Sequence, residues 1–194
     1  MPALSNSYTE PDNRKILVVG DSLSAGYGIA EEESWVYLLQ DRLNAKGYGY
    51  EVVNASISGD TTSGGLRRLP RALEKHEPSI VLIELGGNDG LQGRPAPMIR
   101  DNLAAMIELS QNAGAQVILA GMLMPPNYGQ AYTDAFEANY RELATEYDTA
   151  LIAFFMKNVA LNPRLMQPDQ IHPNAEGQPY LLDNVWDILE PLLR

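Results

Sequence analysis

Short apolar runs alternate along the chain with longer stretches in which apolar residues recur every three or four positions. The apolar runs predict β-strands at residues 16–19, 51–54, 80–85, 116–120 and 150–153. The longer stretches predict amphipathic helices at residues 34–46, 66–75, 98–113, 131–147 and 180–193. This alternation predicts an α/β protein, in which helices on both faces of a five-stranded parallel sheet form a three-layer α/β/α sandwich.

Single residues refine two of these helices. Ser34 stands where a side-chain oxygen can accept a hydrogen bond from the first helical turn, so we expect it to be an N-cap. Pro70 lies within the third apolar stripe and is expected to bend that helix or to lie in its first turn, because proline lacks a backbone N–H.

The composition indicates one globular domain. Hydrophobic residues make up 45% of the chain and charged residues 20%, which is ordinary for a folded protein. Residues 15–194 are predicted to form a single domain, and residues 1–14 a polar tail without the basic and apolar regions of a signal peptide. The absence of cysteine excludes disulfides, thiolate metal sites and a cysteine nucleophile.

Charge restricts the classes of partner. The chain has 25 acidic and 14 basic residues, and its net charge of −11 repels nucleic-acid phosphates and anionic membranes. No apolar run approaches the roughly 20 residues that a membrane span requires. We therefore expect neither nucleic-acid binding nor stable membrane insertion.

Four short polar motifs lie at or beyond the ends of predicted strands. They are Gly-Asp-Ser-Leu at 20–23, Ser-Gly-Asp at 58–60, Gly-Gly-Asn-Asp at 86–89 and Asp-Gln-Ile-His at 169–172. The first three follow strands, and the fourth follows the fifth strand after a longer loop. Because the carboxyl ends of parallel strands lie at one edge of a sheet, where such folds bind ligands, we expect the four motifs to converge.

The motifs contain the groups that acyl transfer requires. Ser22 offers a hydroxyl nucleophile, and His172, one of only two histidines, lies three residues after Asp169. Gly59 can present a backbone N–H and Asn88 a side-chain amide to a developing oxyanion. Each motif alone is also compatible with an ordinary polar turn, so the prediction depends on all four occurring together.

Taken together, the four motifs resemble those of the SGNH-hydrolase superfamily, the GDSL esterases and lipases, and most of all its bacterial arylesterase and thioesterase I/lysophospholipase group. The resemblance spans residues 15–193. It implies a flavodoxin-like sandwich and a triad of Ser22, His172 and Asp169. It also implies a three-donor oxyanion hole formed by the Ser22 and Gly59 backbones and the Asn88 side chain. Neither a metal nor an organic cofactor is implied.

The resemblance further implies a serine esterase that acts on carboxylic esters, and on thioesters, through an acyl-enzyme. Segment 90–93 has two glycines and behaves as a substrate-responsive loop in the related group. Segment 122–128 contains Met, Pro and Tyr, which suit short-to-medium acyl chains, although core packing explains its methionines equally well. The residues expected to contact substrate are Asp21, Leu91, Gln92, Met122, Pro126, Tyr128 and Ile171.

Other properties are expected from the same resemblance. The protein is expected to be a monomer whose partner is a small acyl ester or thioester. A periplasmic or secreted location is expected, although the chain shows no signal peptide, and a cytoplasmic location stays open.

Three rival functions remain at this point. A turn after the first strand that binds phosphate would suit a flavin-binding electron carrier, but this leaves Asp169 and His172 unexplained. A catalytically silent lipid-binding module would share the fold. A carbohydrate deacetylase would share the triad. Two classes are excluded, since Ser24 stands where the nucleophile elbow of α/β-hydrolases needs glycine, and no lysine follows Gly26 as a P-loop requires.

Overall fold

A computed structural model describes residues 14–193, so nearly all of the predicted tail lies outside the described residues. Five parallel strands form one sheet in the order β2-β1-β3-β4-β5. Their bounds are Lys15–Gly20 (β1), Glu51–Asn54 (β2), Ile80–Glu84 (β3), Gln116–Ala120 (β4) and Ala150–Ile152 (β5). This is the flavodoxin-like strand order, so the predicted fold class is confirmed.

Helices cover the two faces of the sheet. Their bounds are Ser22–Ala25 (α1), Trp35–Lys46 (α2), Thr62–His76 (α3), Gly87–Leu91 (α4), Ala96–Asn112 (α5), Gln130–Glu146 (α6) and Gln178–Leu189 (α7). Helices α2 and α7 contact each other, whereas α3, α5 and α6 form a second contacting row. The strands β1 and β3 between them are almost fully buried, as expected for parallel strands with helices on both sides. Among the described residues, no helix combines the length and apolar character that crossing a bilayer would require.

Helix α3 differs most from the sequence prediction. It begins at Thr62, with Thr61 as its N-cap, so Pro70 lies in the helix interior and not in the first turn. Two glycines in the first turn, Gly64 and Gly65, disguised this start, because glycine weakens a helical pattern. Gly65 is needed there, since a Cβ would collide with the side chain of Leu85.

The remaining predicted helices have boundaries within a few residues of the observed ones. Ser34 caps α2 as expected, its hydroxyl accepting a hydrogen bond from the backbone of Tyr37. Segment 90–93 was expected to be a loop, but its first two residues belong to the short helix α4.

The strand order reverses between β1 and β3, which lie side by side in the sheet. In open α/β sheets the crevice beyond such a reversal point is where ligands bind. Helices α1 and α4 begin within two to three residues of the ends of these two strands. The fold therefore brings the residues at the start of α1 and α4 to the same place.

Candidate active site

Ser22 is the first residue of α1 and is 9% exposed. The preceding Asp21 caps this helix, and its Oδ1 accepts a hydrogen bond from the backbone N–H of Leu23 at 3.0 Å. The hydroxyl of Ser22 lies 2.8 Å from Nε2 of His172. A hydroxyl and a base are therefore in direct hydrogen-bond contact at the carboxyl edge of the sheet.

His172 is held by a tight turn that begins at Asp169. Oδ2 of Asp169 lies 2.7 Å from Nδ1 of His172, and Oδ1 accepts from the backbone N–H groups of Ile171 and His172, both at 3.0 Å. Gln170 adopts a φ of +59°, which lets the chain fold back on itself.

These hydrogen bonds fix the charge and the tautomer. The backbone N–H of His172, followed by its ring and by the Ile171 N–H, lowers the pKa of Asp169 to about 2. The carboxylate is therefore ionised at neutral pH and accepts the Nδ1 proton of His172. In the neutral imidazole, Nε2 is then unprotonated and faces the hydroxyl of Ser22.

The aromatic ring of Tyr27 packs against the ring of His172. Its ring centroid lies 4.5 Å from that of His172, with an angle of 40° between the planes. The side-chain amide of Gln167 donates to the carbonyls of Tyr27 and Pro173, at 2.7 and 3.0 Å, and so joins the two segments. Tyr27 and Gln167 were not among the predicted site residues, because no local pattern indicates a contact between segments so distant in sequence.

Asn88 contacts the residue that precedes the serine, and Gly59 directly precedes Asp60, a second partner of Asn88. The side-chain Nδ2 of Asn88, in α4, donates to Oδ2 of Asp21 at 3.0 Å and to the carbonyl of Asp60 at 2.8 Å. Gly59 has a φ of +80°, and the space where its Cβ would lie is open. This left-handed conformation explains the glycine at a turn beside the site.

Two buried carboxyl groups lie beneath the serine. Glu84, at the end of β3, is fully buried, and its Oε2 accepts from the hydroxyl of Ser24 at 2.7 Å. Burial, followed by the charge of Asp21, holds the pKa of Glu84 well above its usual range. Burial is also the main reason why the pKa of Asp21 is raised to about 6. Glu84 was missed in the sequence, although an acidic residue at the end of a fully apolar strand is a signal that could have identified it.

A cavity of about 580 Å³ opens beside Ser22 and His172. Of the residues expected to contact substrate, five line it: Asp21, Leu91, Met122, Pro126 and Ile171. Leu123, Met124 and Pro125, from the predicted segment 122–128, also line the cavity. Five further apolar residues of its wall were not predicted: Phe154, Met156, Ala160, Leu161 and Met166. Met122 packs in the core, at 6% exposure, and also lines the cavity. Core packing and a place in the acyl wall are therefore compatible for this methionine.

The other two expected contact residues lie outside the cavity lining. Gln92 is exposed, and its side-chain oxygen accepts from the guanidinium of Arg94. The hydroxyl of Tyr128 donates to the carbonyl of Leu91 at 2.9 Å. Gln92 therefore contacts the segment after α4, and Tyr128 contacts the last residue of α4. Neither side chain lines the cavity.

Metal ligands do not converge at this site. Across residues 14–193, no three His, Asp or Glu side chains are grouped in a way that could hold a metal ion.

Comparisons with known proteins show relatives over most of the chain. The esterase TesA of Pseudomonas aeruginosa is 51% identical over 178 residues, which are 92% of this chain and 89% of TesA. The thioesterase 1/protease 1/lysophospholipase L1 of Escherichia coli is 45% identical, over 92% of this chain and 84% of its own length.

Solved structures give the same result. A crystal structure of TesA superposes with a TM-score of 0.90 and 50% identity, covering 92% of this chain and 99% of TesA. The psychrotrophic esterase EstA from Pseudoalteromonas sp., inhibited by monoethylphosphonate, superposes with a TM-score of 0.89 and 43% identity, covering 92% of this chain and 98% of EstA. Residues 18–179 match the GDSL-like lipase/acylhydrolase family, and the chain belongs to that family.

Proposed function

We propose that Ser22, His172 and Asp169 are the catalytic triad of this ester hydrolase. The observation that carries the proposal is the continuous pair of contacts from Ser22 Oγ to His172 Nε2, at 2.8 Å, and from His172 Nδ1 to Asp169, at 2.7 Å. Both lie within the range over which a nucleophile and its base exchange a proton.

The reaction then has two acyl transfers. Oγ of Ser22 attacks the carbonyl carbon of an ester or thioester while Nε2 of His172 takes its proton. The tetrahedral intermediate expels the alcohol or thiol, which receives that proton from His172, and Ser22 is left acylated. Water, deprotonated by His172, attacks the acyl carbon and releases the acid and the free serine.

The oxyanion formed in both steps is proposed to be held by three donors: the backbone N–H groups of Ser22 and Gly59 and the side-chain amide of Asn88. Both N–H groups of this amide are engaged, one by Asp21 and one by the Asp60 carbonyl, so the oxyanion must take the place of one of these acceptors. Loss of one such donor typically lowers kcat by about 100- to 1000-fold, which is the effect expected of Asn88→Ala.

The proposed substrates are carboxylic esters and thioesters of short-to-medium acyl chains. Methionine and leucine side chains dominate the cavity wall, and an acyl chain is the group that such a wall excludes from water. A sugar ring would leave its hydroxyls facing this wall without partners, so the cavity disfavours carbohydrate deacetylation. The E. coli relative's name includes thioesterase activity, which supports including thioesters.

Two further properties belong to the proposal. The three triad residues come from one chain, which is consistent with a monomer that is complete as it stands. A periplasmic or secreted location is proposed on the family resemblance alone.

The direct experiment is hydrolysis of p-nitrophenyl esters from acetyl to palmitoyl by the wild-type protein and by Ser22→Ala. We expect the wild type to turn over the shorter esters best and Ser22→Ala to lose turnover while its circular dichroism spectrum stays unchanged. Ser56→Ala removes a nearby serine hydroxyl and serves as the control that retains activity. A folded Ser22→Ala protein with wild-type rates would overturn the proposal, and an inactive wild type would favour the silent binding module.

A further inference from the structure

The guanidinium of Arg68, in α3, contacts three segments at the carboxyl edge of the sheet. Nη2 donates to the carbonyl of Gly20 at 3.2 Å, and Nη1 donates to the carbonyl of Ala55. Nε donates to Oδ2 of Asp60 at 2.7 Å. Arg68 thus contacts the end of β1, the segment that follows β2, and the turn that contains Gly59.

Two of the three contacts lie within two residues of a donor of the proposed oxyanion hole. Gly20 precedes Ser22 by two residues, and Asp60 directly follows Gly59. The carbonyl of the same Asp60 accepts the hydrogen bond from the side chain of Asn88. One guanidinium therefore has an indirect link to all three donors, through Gly20 and Asp60.

The site requires an arginine in particular. A guanidinium presents five N–H donors in a rigid planar fork, whereas a lysine ammonium is a point charge on a flexible stem and cannot reach three separate acceptors in fixed directions. The side chains of Arg68 and Asp60 are 22% and 12% exposed, so their ion pair is largely shielded from water. The neighbouring Arg67 is exposed and provides a contrast on the same helix.

We propose that Arg68 is a positioning residue that sets the spacing of the oxyanion donors. The inference rests on the proposed function, since it assumes that Ser22, Gly59 and Asn88 act on one oxyanion. Donors must match the position of the oxyanion closely, and a displacement of about 1 Å can lower a rate by about 100-fold. Arg68 therefore acts on the transition state more than on the bound substrate.

The test compares Arg68→Lys with Arg67→Lys, its matched control. We expect Arg68→Lys to lower kcat by about 10- to 100-fold with KM within about twofold of wild type, because donors shift while the acyl cavity is untouched. Arg67→Lys should retain wild-type kinetics. Asp60→Asn, which keeps the size of the side chain but weakens the ion pair, should lower kcat in the same direction and serves if Arg68→Lys does not fold.

A second readout separates positioning from a general structural effect. An alkyl trifluoromethyl ketone forms an oxyanion when a serine adds to it, whereas the corresponding secondary alcohol does not. We expect Ki of the ketone to rise in Arg68→Lys by the same factor as kcat falls, and Ki of the alcohol to stay unchanged.

Two results would overturn the inference. One is a folded Arg68→Lys protein with kcat within twofold of wild type. The other is an equal rise of Ki for ketone and alcohol, which would make Arg68 a structural residue only. A wild-type protein without esterase activity would instead contradict the proposed function itself, so the two failures are distinguishable.

Discussion

The side-chain amide of Asn88 donates a hydrogen bond to the buried carboxylate of Asp21 at 3.0 Å. The other oxygen of that carboxylate accepts from the backbone N–H of Leu23 and caps the helix that begins at Ser22. One acidic side chain, 2% exposed, therefore contacts both the nucleophile helix and a proposed oxyanion donor. Because Asp21 is buried and accepts both hydrogen bonds, it is better placed to hold Asn88 and the start of α1 in position than to contact a substrate.

The stability of the protein should depend on pH through Asp21. Burial raises the pKa of this carboxyl from 3.8 to about 6, so between these values the folded state keeps a proton that the unfolded state has lost. The free energy of unfolding of the wild type should therefore fall relative to that of Asp21→Asn as the pH rises from about 4 to about 6, and should level off above. Removing this charge also removes one cause of the raised pKa of Glu84, which acts in the same direction.

Urea denaturation at about pH 4 and about pH 7 measures this difference. Asp41→Asn, on the exposed side of α2, is the control and should follow the wild type at both pH values. A difference between wild type and Asp21→Asn that stays constant with pH would contradict the ionisation assigned to Asp21.

The substitution Asp169→Asn should lower kcat by about 1,000- to 10,000-fold without unfolding the protein. Two backbone N–H groups donate to Oδ1 of Asp169, so the amide oxygen of asparagine must take that position. The amide NH₂ then faces Nδ1 of His172 and forces the proton onto Nε2, where it blocks acceptance from Ser22. Single-turnover kinetics measures the loss, with the exposed Asp187→Asn as a control, and a loss below about tenfold would remove Asp169 from the triad.

Gly90→Ala should narrow the range of acyl chains. A Cβ at Gly90 would collide with Sδ of Met124 and lie 3.0 Å from the ring of Phe136, so the Met124 side chain, which lines the cavity, must move. We expect kcat/KM for decanoyl esters to fall by roughly 10-fold relative to acetyl esters. Gly49→Ala, two residues before β2, is the control, because the nearest atom to a Cβ there would be Nη1 of Arg14 at 3.8 Å, an ordinary contact distance.

The double variant Gly90→Ala, Met124→Ala gives back the displaced volume and should recover much of the activity on decanoyl esters. Equal losses on acetyl and decanoyl esters in Gly90→Ala would show that Met124 does not limit the acyl chain.

Tyr27→Leu should lower kcat by about 2- to 5-fold, whereas Tyr27→Phe should keep it. The ring centroid of Tyr27 lies 4.5 Å from that of His172, which becomes cationic during each acyl transfer, and an aromatic ring within about 6 Å of a cation stabilises it by about 0.5–1 kcal/mol at an exposed site. Leucine keeps much of the volume but lacks the ring. Steady-state kinetics with a butyryl ester checks the order, and equal rates for the leucine and phenylalanine variants would rule out a role for the ring.

The sequence predicted the sheet and the polar motifs at its edge because both depend on local patterns. Apolar runs such as 80–83 are buried in a parallel sheet that has helices on both faces. In a turn motif such as Asp169 to His172 the contacting side chains are only three residues apart, so the sequence itself indicates the contact. The start of α3 was missed because glycine in its first turn weakens the helical pattern. Gly65 is there because it packs against Leu85, a contact that cannot be seen from the local sequence.

The supporting residues could not be predicted for a related reason. Arg68 and Tyr27 contact residues that are distant in sequence and that only the folded sheet brings near. In the sequence they look like an ordinary helix arginine and an ordinary loop tyrosine. Glu84 is different, since its acidic side chain at the end of a buried strand was visible in the sequence and only its partners were not.

The central claim is that Ser22 carries the acyl group during turnover. The measurement is rapid acid quench of the wild type with p-nitrophenyl butyrate, followed by proteolysis and mass spectrometry of the peptide that contains Ser22. A butyryl mass increment on Ser22, present before steady state and absent in Ser22→Ala, is the predicted result. An active protein whose acyl group lies on another residue, or on none while a burst of p-nitrophenol is released, would contradict the claim.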